Sequence, residues 1–87
     1  MYVIIVYDVG VERVNKVCQF LRQYLNWVQN SVFEGEITES ELLKIEIELK
    51  RIINPEKDSV TIYILPFEKI LKRKYIGTKK SEISSII

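Results

Sequence analysis

Strand-like apolar runs alternate with amphipathic helical segments along the 87 residues, and this alternation predicts one mixed α/β domain. The first run, from Tyr2 to Tyr7, is continuous and rich in β-branched and aromatic residues, which is typical of a strand in the middle of a sheet. A second clear strand runs from Ser59 to Leu65. Apolar residues make up 47% of the chain, which is enough for a packed core.

Two helices are predicted between these outer strands. From Val11 to Leu25 the apolar residues recur at helical spacing. The second helix starts at Thr38, because Thr38 and Glu41 match a capping box, and it stops before Pro55. Its apolar face repeats at the same helical spacing.

The segment between the helices predicts two short strands, Trp27–Gln29 and Val32–Glu36, or one strand with a bulge. The order βαββαβ then gives an α/β (α+β) domain of ferredoxin-like topology, with both helices on one face of the sheet. Residues 70–77 predict an extra C-terminal edge strand, because Lys72 and Lys74 would share a face. The domain is therefore assigned to residues 1–77, and residues 78–87 to a flexible or partner-docking tail.

One face of such a sheet has no helix to cover it. The first strand turns one of two apolar sets toward that face: Tyr2, Ile4 and Val6, or Val3, Ile5 and Tyr7. Either set is too apolar to remain in water. A second copy of the same sheet is the simplest cover, so we expect a twofold homodimer.

The net charge of +1 conceals an acidic middle and a basic end. Residues 34–48 contain six glutamates and one lysine, whereas residues 67–80 contain six basic residues and one glutamate. The basic residues proposed to bind nucleic-acid phosphates are Lys72, Arg73, Lys74, Lys79 and Lys80. The alternative is a solvated helix face and a solubilising tail.

Several classes of chemistry are excluded by composition. The chain has no histidine, and its one cysteine, Cys18, lies on the apolar face of a predicted helix. Histidine-based catalysis and internal disulfides are therefore ruled out, and no phosphate-binding glycine motif is present. Met1 leads directly into an apolar strand, and no apolar run approaches the roughly 20 residues that span a bilayer. We expect a cytoplasmic protein without a membrane segment.

Carboxylate chemistry with a divalent metal remains, and Asp8 is the best candidate for it. Asp8 ends the first strand, at an edge where ligands collect in open α/β sheets. Mg²⁺ keeps several waters, so one carboxylate and a substrate phosphate can hold it. The alternative is that Asp8 caps the first helix. Asp58, in the turn before the last clear strand, is interpreted as a turn residue.

Two motifs carry a resemblance to a known family. Val6-Tyr7-Asp8, with Arg13 downstream, is followed by Gln-Asn-Ser-Val-Phe-Glu-Gly over residues 29–35. This pair of motifs, in this order and in so short a chain, resembles the CRISPR-associated protein 2 family. The resemblance covers residues 1 to 77 and includes the predicted order of helices and strands.

The resemblance implies a site and a function. It implies endonuclease activity on RNA or DNA that depends on Mg²⁺ or Mn²⁺, with Asp8 as the catalytic metal ligand. Arg13 would lie near phosphate, with a solvated helix residue as the alternative, and Tyr7, Ser31 and Phe33 would support the site. Phe33 is also interpreted as a core residue. The apolar loop after Asp8, and Trp27 where relatives often carry arginine, predict weak cleavage.

The resemblance further implies a place in antiviral defence. The homodimer, with the last strand of each chain extending its partner's sheet, would be a subunit of the CRISPR adaptation complex. It would bridge pairs of the CRISPR integrase subunit and bind double-stranded DNA or single-stranded RNA. Two alternatives are a stand-alone toxin-type Mg²⁺-dependent ribonuclease and a non-catalytic dimerisation module.

Overall fold

The computed structural model describes residues 1–78, which form one antiparallel sheet with two helices on one face. The elements, in chain order, are β1 (Tyr2–Asp8), α1 (Val11–Leu21), β2 (Asn26–Gln29), β3 (Val32–Glu36), α2 (Glu39–Ile52) and β4 (Ser59–Leu65). The strand order across the sheet is β2-β3-β1-β4, and every neighbouring pair is antiparallel. This order confirms the ferredoxin-like α+β fold.

The second helix begins at the predicted capping box. The Thr38 hydroxyl accepts a hydrogen bond from the Glu41 amide at 3.1 Å, and the Glu41 carboxylate accepts one from the Thr38 amide at 2.9 Å. Two of the amides at the start of α2 are thereby satisfied. Ile45 and Leu49 on the inner face of α2 are buried against the sheet.

The first helix is shorter than the periodicity predicted. It ends at Leu21, and the chain from there to Leu25 forms a turn. The amides of Gln23 and Tyr24 bond to carbonyls three residues back, which tightens the last turn before β2. Apolar spacing continued past this point because Leu25 still packs into the core.

The helices cover one of the two faces of the central strand β1. Val3, Ile5 and Tyr7 point at the helices and are buried in the core with residues such as Val17 and Leu21. Tyr2, Ile4 and Val6 therefore belong to the opposite face, which we call the open face. Val6 is 37% exposed there, and Tyr63, opposite Ile4 on β4, is 56% exposed.

Two separate strands form between the helices, as one of the two alternatives predicted. Asn30 takes a positive φ of 38° in the hairpin between β2 and β3, which asparagine tolerates. The register between Trp27 and Gln29 also shifts, so β2 carries an irregularity as well.

The predicted extra strand over residues 70–77 is wrong for this chain taken alone. Glu68–Ile70 is a short 3-10 turn, and within the described part no strand follows it. A strand needs a hydrogen-bonded neighbour, and within the described part the segment after Pro66 reaches Glu34 on the open face without pairing with any strand. Most of the predicted tail, residues 79–87, lies outside the described residues. Among residues 1–78 no helix has the length and apolar character needed to cross a membrane.

Candidate functional site

Asp8 is the last residue of β1 and lies at the end of the open face. Its side chain is exposed and takes part in no hydrogen bond or ion pair with the other residues of the described chain. It sits opposite Ser59 at the start of β4. The capping alternative is wrong, because the residue that precedes α1 is Gly10 and no side chain caps it.

The predicted supports of the site, Tyr7, Ser31 and Phe33, contact one another beside the end of β1 that carries Asp8. The Tyr7 amide donates to the Ser31 carbonyl at 3.1 Å, and the rings of Tyr7 and Phe33 stack with centroids 6.1 Å apart. Burial, and then a hydrogen bond with Cys18, raise the pKa of the Tyr7 phenol above its usual range. Phe33 is fully buried, so its ring is part of the core and is not available to stack on a base.

Arg13 is hydrogen-bonded to Asp58, the residue that the sequence pattern identifies as a turn residue. Arg13 Nε donates to Asp58 Oδ2 at 2.6 Å, and Arg13 Nη2 donates to Asp58 Oδ1 at 2.9 Å. Arg13 also forms an ion pair with Glu12 at 3.0 Å. Its predicted contact with phosphate stays a prediction, and these partners compete with it.

The Asp58 side chain is almost completely buried, with 1% of its surface exposed. The Arg13 hydrogen bonds lower the pKa of this carboxyl far below its usual range, and the amides of Asn54 and Gly10 add to the effect. Asp58 therefore stays ionised at neutral pH, as a charge that is fully paired.

Arg73 is held in the same manner at the other end of the open face. Its guanidinium makes two contacts with the Glu34 carboxylate, and the Tyr2 hydroxyl donates to the same carboxylate at 2.9 Å. These contacts raise the pKa of Arg73. Burial, and then the Glu34 hydrogen bond, raise the pKa of Tyr2.

The remaining basic residues differ from Arg73. Lys72 and Lys74 are exposed and form no ion pair with other residues of the 1–78 segment. Lys79 and Lys80 lie outside the described residues. The five basic residues proposed to bind phosphates, which we call the basic arm, therefore include two free lysines in the described chain, one on either side of the paired Arg73.

The donor set at Asp8 suits a cation that retains its water. Within residues 1–78 no three acidic, cysteine or histidine side chains gather as a metal-binding group. Glu34 lies opposite Ile4, four residues along β1 from Asp8, or roughly 13 Å away at the usual rise of a strand. An exposed carboxylate with free oxygens fits Mg²⁺ or Mn²⁺ that is otherwise coordinated by water and phosphate.

The sheet order and the lone exposed carboxylate at the end of β1 define a class, a small ferredoxin-like protein with a candidate hard-cation site on its open face. Comparison with known proteins specifies the family. The family profile described as "CRISPR associated protein Cas2" matches residues 1–74. The chain belongs to this family.

Individual relatives agree with the family match. A protein of Methanosarcina acetivorans named "CRISPR-associated endoribonuclease Cas2" is 56% identical over 87 residues, which is the whole of both chains. A crystal structure described as cas2 is 54% identical, with a TM-score of 0.87 over 93% of this chain and 91% of that one. The crystal structure of Streptococcus pyogenes Cas2 is 31% identical, with a TM-score of 0.73 over 86% of this chain and all of that one.

Proposed function

We propose that this chain is an endonuclease-type subunit of the CRISPR adaptation machinery, that it acts on RNA or DNA, and that Asp8 holds its Mg²⁺ or Mn²⁺. The observation that carries the proposal is the state of Asp8. It is an exposed carboxylate at the end of the central strand, and both of its oxygens are unpartnered within the described chain. Relatives of similar length are named endoribonucleases.

The open face supports a homodimer. Val6 and Tyr63 are exposed apolar side chains on the face that also carries Asp8. A twofold contact through this face would bury both side chains and bring two copies of the Asp8 strand end to the same interface. Two chains would then supply the oxygens that one chain lacks.

The chemistry needed from the protein is limited. When bound, the divalent ion would neutralise charge on a phosphate and supply Lewis acidity. Asp8 fixes the ion at the sheet edge, and the stacked rings of Tyr7 and Phe33 hold the strand end behind it. Arg13, the first basic residue after Asp8 in the chain, is already paired with Asp58.

Replacement of Asp8 by Asn tests the nuclease proposal. The change keeps the size of the side chain and removes its charge, so Mg²⁺- or Mn²⁺-dependent cleavage of RNA or DNA should fall on the order of 100-fold or more. Glu39→Gln, which changes another exposed carboxylate at the start of α2, is the matched control and should cleave as the wild type does. Equal cleavage by Asp8→Asn and wild type contradicts the metal-ligand assignment.

The free lysines favour a second function beside cleavage, namely a scaffold role. Exposed Lys72 and Lys74 are suited to hold duplex DNA while the dimer bridges CRISPR integrase subunits. Spacer acquisition should then survive Asp8→Asn and fail when the lysines of the arm are replaced by glutamine. Loss of acquisition in Asp8→Asn would instead tie that role to the metal site.

A further inference from the structure

The carboxylate of Asp58 joins two loops that are far apart in sequence. Its Oδ1 accepts from the Gly10 amide at 3.0 Å and from Arg13 Nη2 at 2.9 Å. Its Oδ2 accepts from Arg13 Nε at 2.6 Å and from the Asn54 amide at 2.8 Å. All four strong acceptor positions of the carboxylate are therefore used.

These contacts bracket the candidate metal ligand. Gly10 lies two residues after Asp8, and Ser59, the neighbour of Asp58, is the register partner of Asp8. We propose that Asp58 and Arg13 form a clamp that positions Asp8 for metal binding, by fixing the β1–α1 loop to the start of β4. The proposal rests on the proposed function of Asp8.

The β1–α1 loop is itself adapted to the contact between Asp58 and Arg13. Gly10 precedes α1 and has no side-chain cap there, and its amide donates its hydrogen bond to the Asp58 carboxylate instead. A side chain at residue 10 would place its Cβ 2.6 Å from Arg13 Nη2, so Gly10 leaves the space that the Arg13 guanidinium needs. Asn54 in turn fixes Asp58 from its own loop.

A clamp of this kind acts on Asp8 through the backbone. The Asp58 and Arg13 charges offset one another, and the Asp58 carboxylate has no acceptor position left for a metal. Residues that orient a metal ligand typically change metal affinity about 10–100-fold when they are removed. Loss of either partner should therefore weaken metal binding, although the two partners carry opposite charges.

Mn²⁺ binding to the full chain, measured from the free-ion signal in electron paramagnetic resonance, tests this directly. Asp58→Asn and Arg13→Met should each weaken binding about tenfold. Arg13→Lys keeps the charge with a single hydrogen bond and should restore part of the affinity. Thr38→Ala, which destabilises α2 at a distant cap, is the control for general loss of stability and should bind as the wild type does.

The sign of the Arg13→Met effect separates the explanations. Removal of a positive charge tightens cation binding if only the electrostatic field matters, so unchanged or tighter Mn²⁺ binding in Arg13→Met overturns the clamp. Equal weakening in Thr38→Ala also overturns it, in favour of simple instability. A double variant of Asp58→Asn and Arg13→Met should bind Mn²⁺ no more weakly than either single variant, because both changes break the same clamp. Losses of affinity that add up in the double variant would contradict this.

The same titration separates failure of the clamp from failure of the proposed function. Asp8→Asn should abolish most of the Mn²⁺ binding. If it does so while Arg13→Met binds normally, only the clamp is wrong. If Asp8→Asn binds Mn²⁺ as the wild type does, the proposed metal site is wrong, and the clamp falls with it.

Discussion

Arg73 and Glu34 form a two-point ion pair although they lie 39 positions apart, and this pair fastens the C-terminal segment to the open face of the sheet. The Glu34 side chain is only 6% exposed, and Tyr2 donates to it from the neighbouring strand. A buried carboxylate is tolerated there because three donors from two residues satisfy it. The path of the segment is therefore set by a buried charge and its partner.

Replacement of Arg73 by Gln should loosen this segment. Glu34 would keep only the Tyr2 hydrogen bond, and an undersatisfied buried acceptor costs about 1–3 kcal/mol. Arg73 is 37% exposed, so water replaces part of the contact and the loss should lie near the lower end of that range. Urea unfolding measures the loss, and faster trypsin cleavage after Lys72 and Lys74 reports the release of the segment.

The control for this change is the adjacent lysine. Lys74→Gln removes an exposed charge that has no partner in the described chain, so its free energy of unfolding should stay within about 0.5 kcal/mol of the wild type. Equal stability of Arg73→Gln and Lys74→Gln would show that the ion pair contributes nothing.

Nucleic-acid binding should depend unequally on the basic residues of the arm. Lys72→Gln and Lys74→Gln should each reduce the slope of log affinity against log salt by about one, because each lysine is free to neutralise a phosphate. Arg73→Gln should reduce the slope less, since its charge is already shared with Glu34. Filter binding at several salt concentrations measures the slopes, with duplexes of unrelated sequence for comparison.

Replacement of all five basic residues tests the arm as a whole. The set to be changed to glutamine is Lys72, Arg73, Lys74, Lys79 and Lys80. Affinity should fall to a similar extent for every sequence, because phosphate contacts carry no sequence information. An unchanged affinity would make these residues a solubilising tail, as the alternative interpretation had it.

The open face should be the dimer interface. Val6→Glu places a charge in the centre of that face and should convert a dimer to a monomer. Val11→Glu, the same substitution at a residue 87% exposed on the start of α1, should leave the dimer intact. Light scattering at micromolar concentration gives the masses, and a wild-type monomer would contradict the interface.

The sequence predicted the elements whose signals are local. The bounds of β3 and β4 match the predicted Val32–Glu36 and Ser59–Leu65 to the residue, because β-rich runs with flanking turn residues define both strands. The capping box at Thr38 was equally local. The signal for the extra strand over residues 70–77 was not sufficient, because a strand also needs a neighbouring strand to pair with, and the local sequence does not show whether one exists.

Only the part of the site that has a local sequence signal was predicted. Asp8 stands out because an acidic residue directly follows an apolar strand. The Arg13–Asp58 contact spans 45 positions and joins two loops, so no periodicity connects its members. Asp58 directly follows the turn at residues 55–57, and its amide donates to the Asn54 carbonyl at 2.8 Å. Its burial and its role as an acceptor become visible only when the fold brings Gly10 and Arg13 to it.

The Asp58 carboxyl should make the free energy of unfolding rise with pH in the acid range. In the unfolded chain an aspartate titrates at about 3.9, and in the fold the Arg13 hydrogen bonds lower its pKa far below that. The native state therefore binds fewer protons than the unfolded state, so stability rises with pH across this window. The contribution is fully present above about pH 4 and is lost as pH falls toward the native pKa.

The measurement compares wild type with Asp58→Asn, so that the protonation of the other carboxylates, which is common to both, cancels. The difference in free energy of unfolding should be constant between about pH 5 and pH 8, with the wild type the more stable. It should shrink steadily as the pH is lowered below about 4, because protonation then removes the charge that Arg13 binds. A difference that stayed constant into strong acid, or that shrank toward alkaline pH, would mean that Asp58 is not held as a carboxylate in the fold.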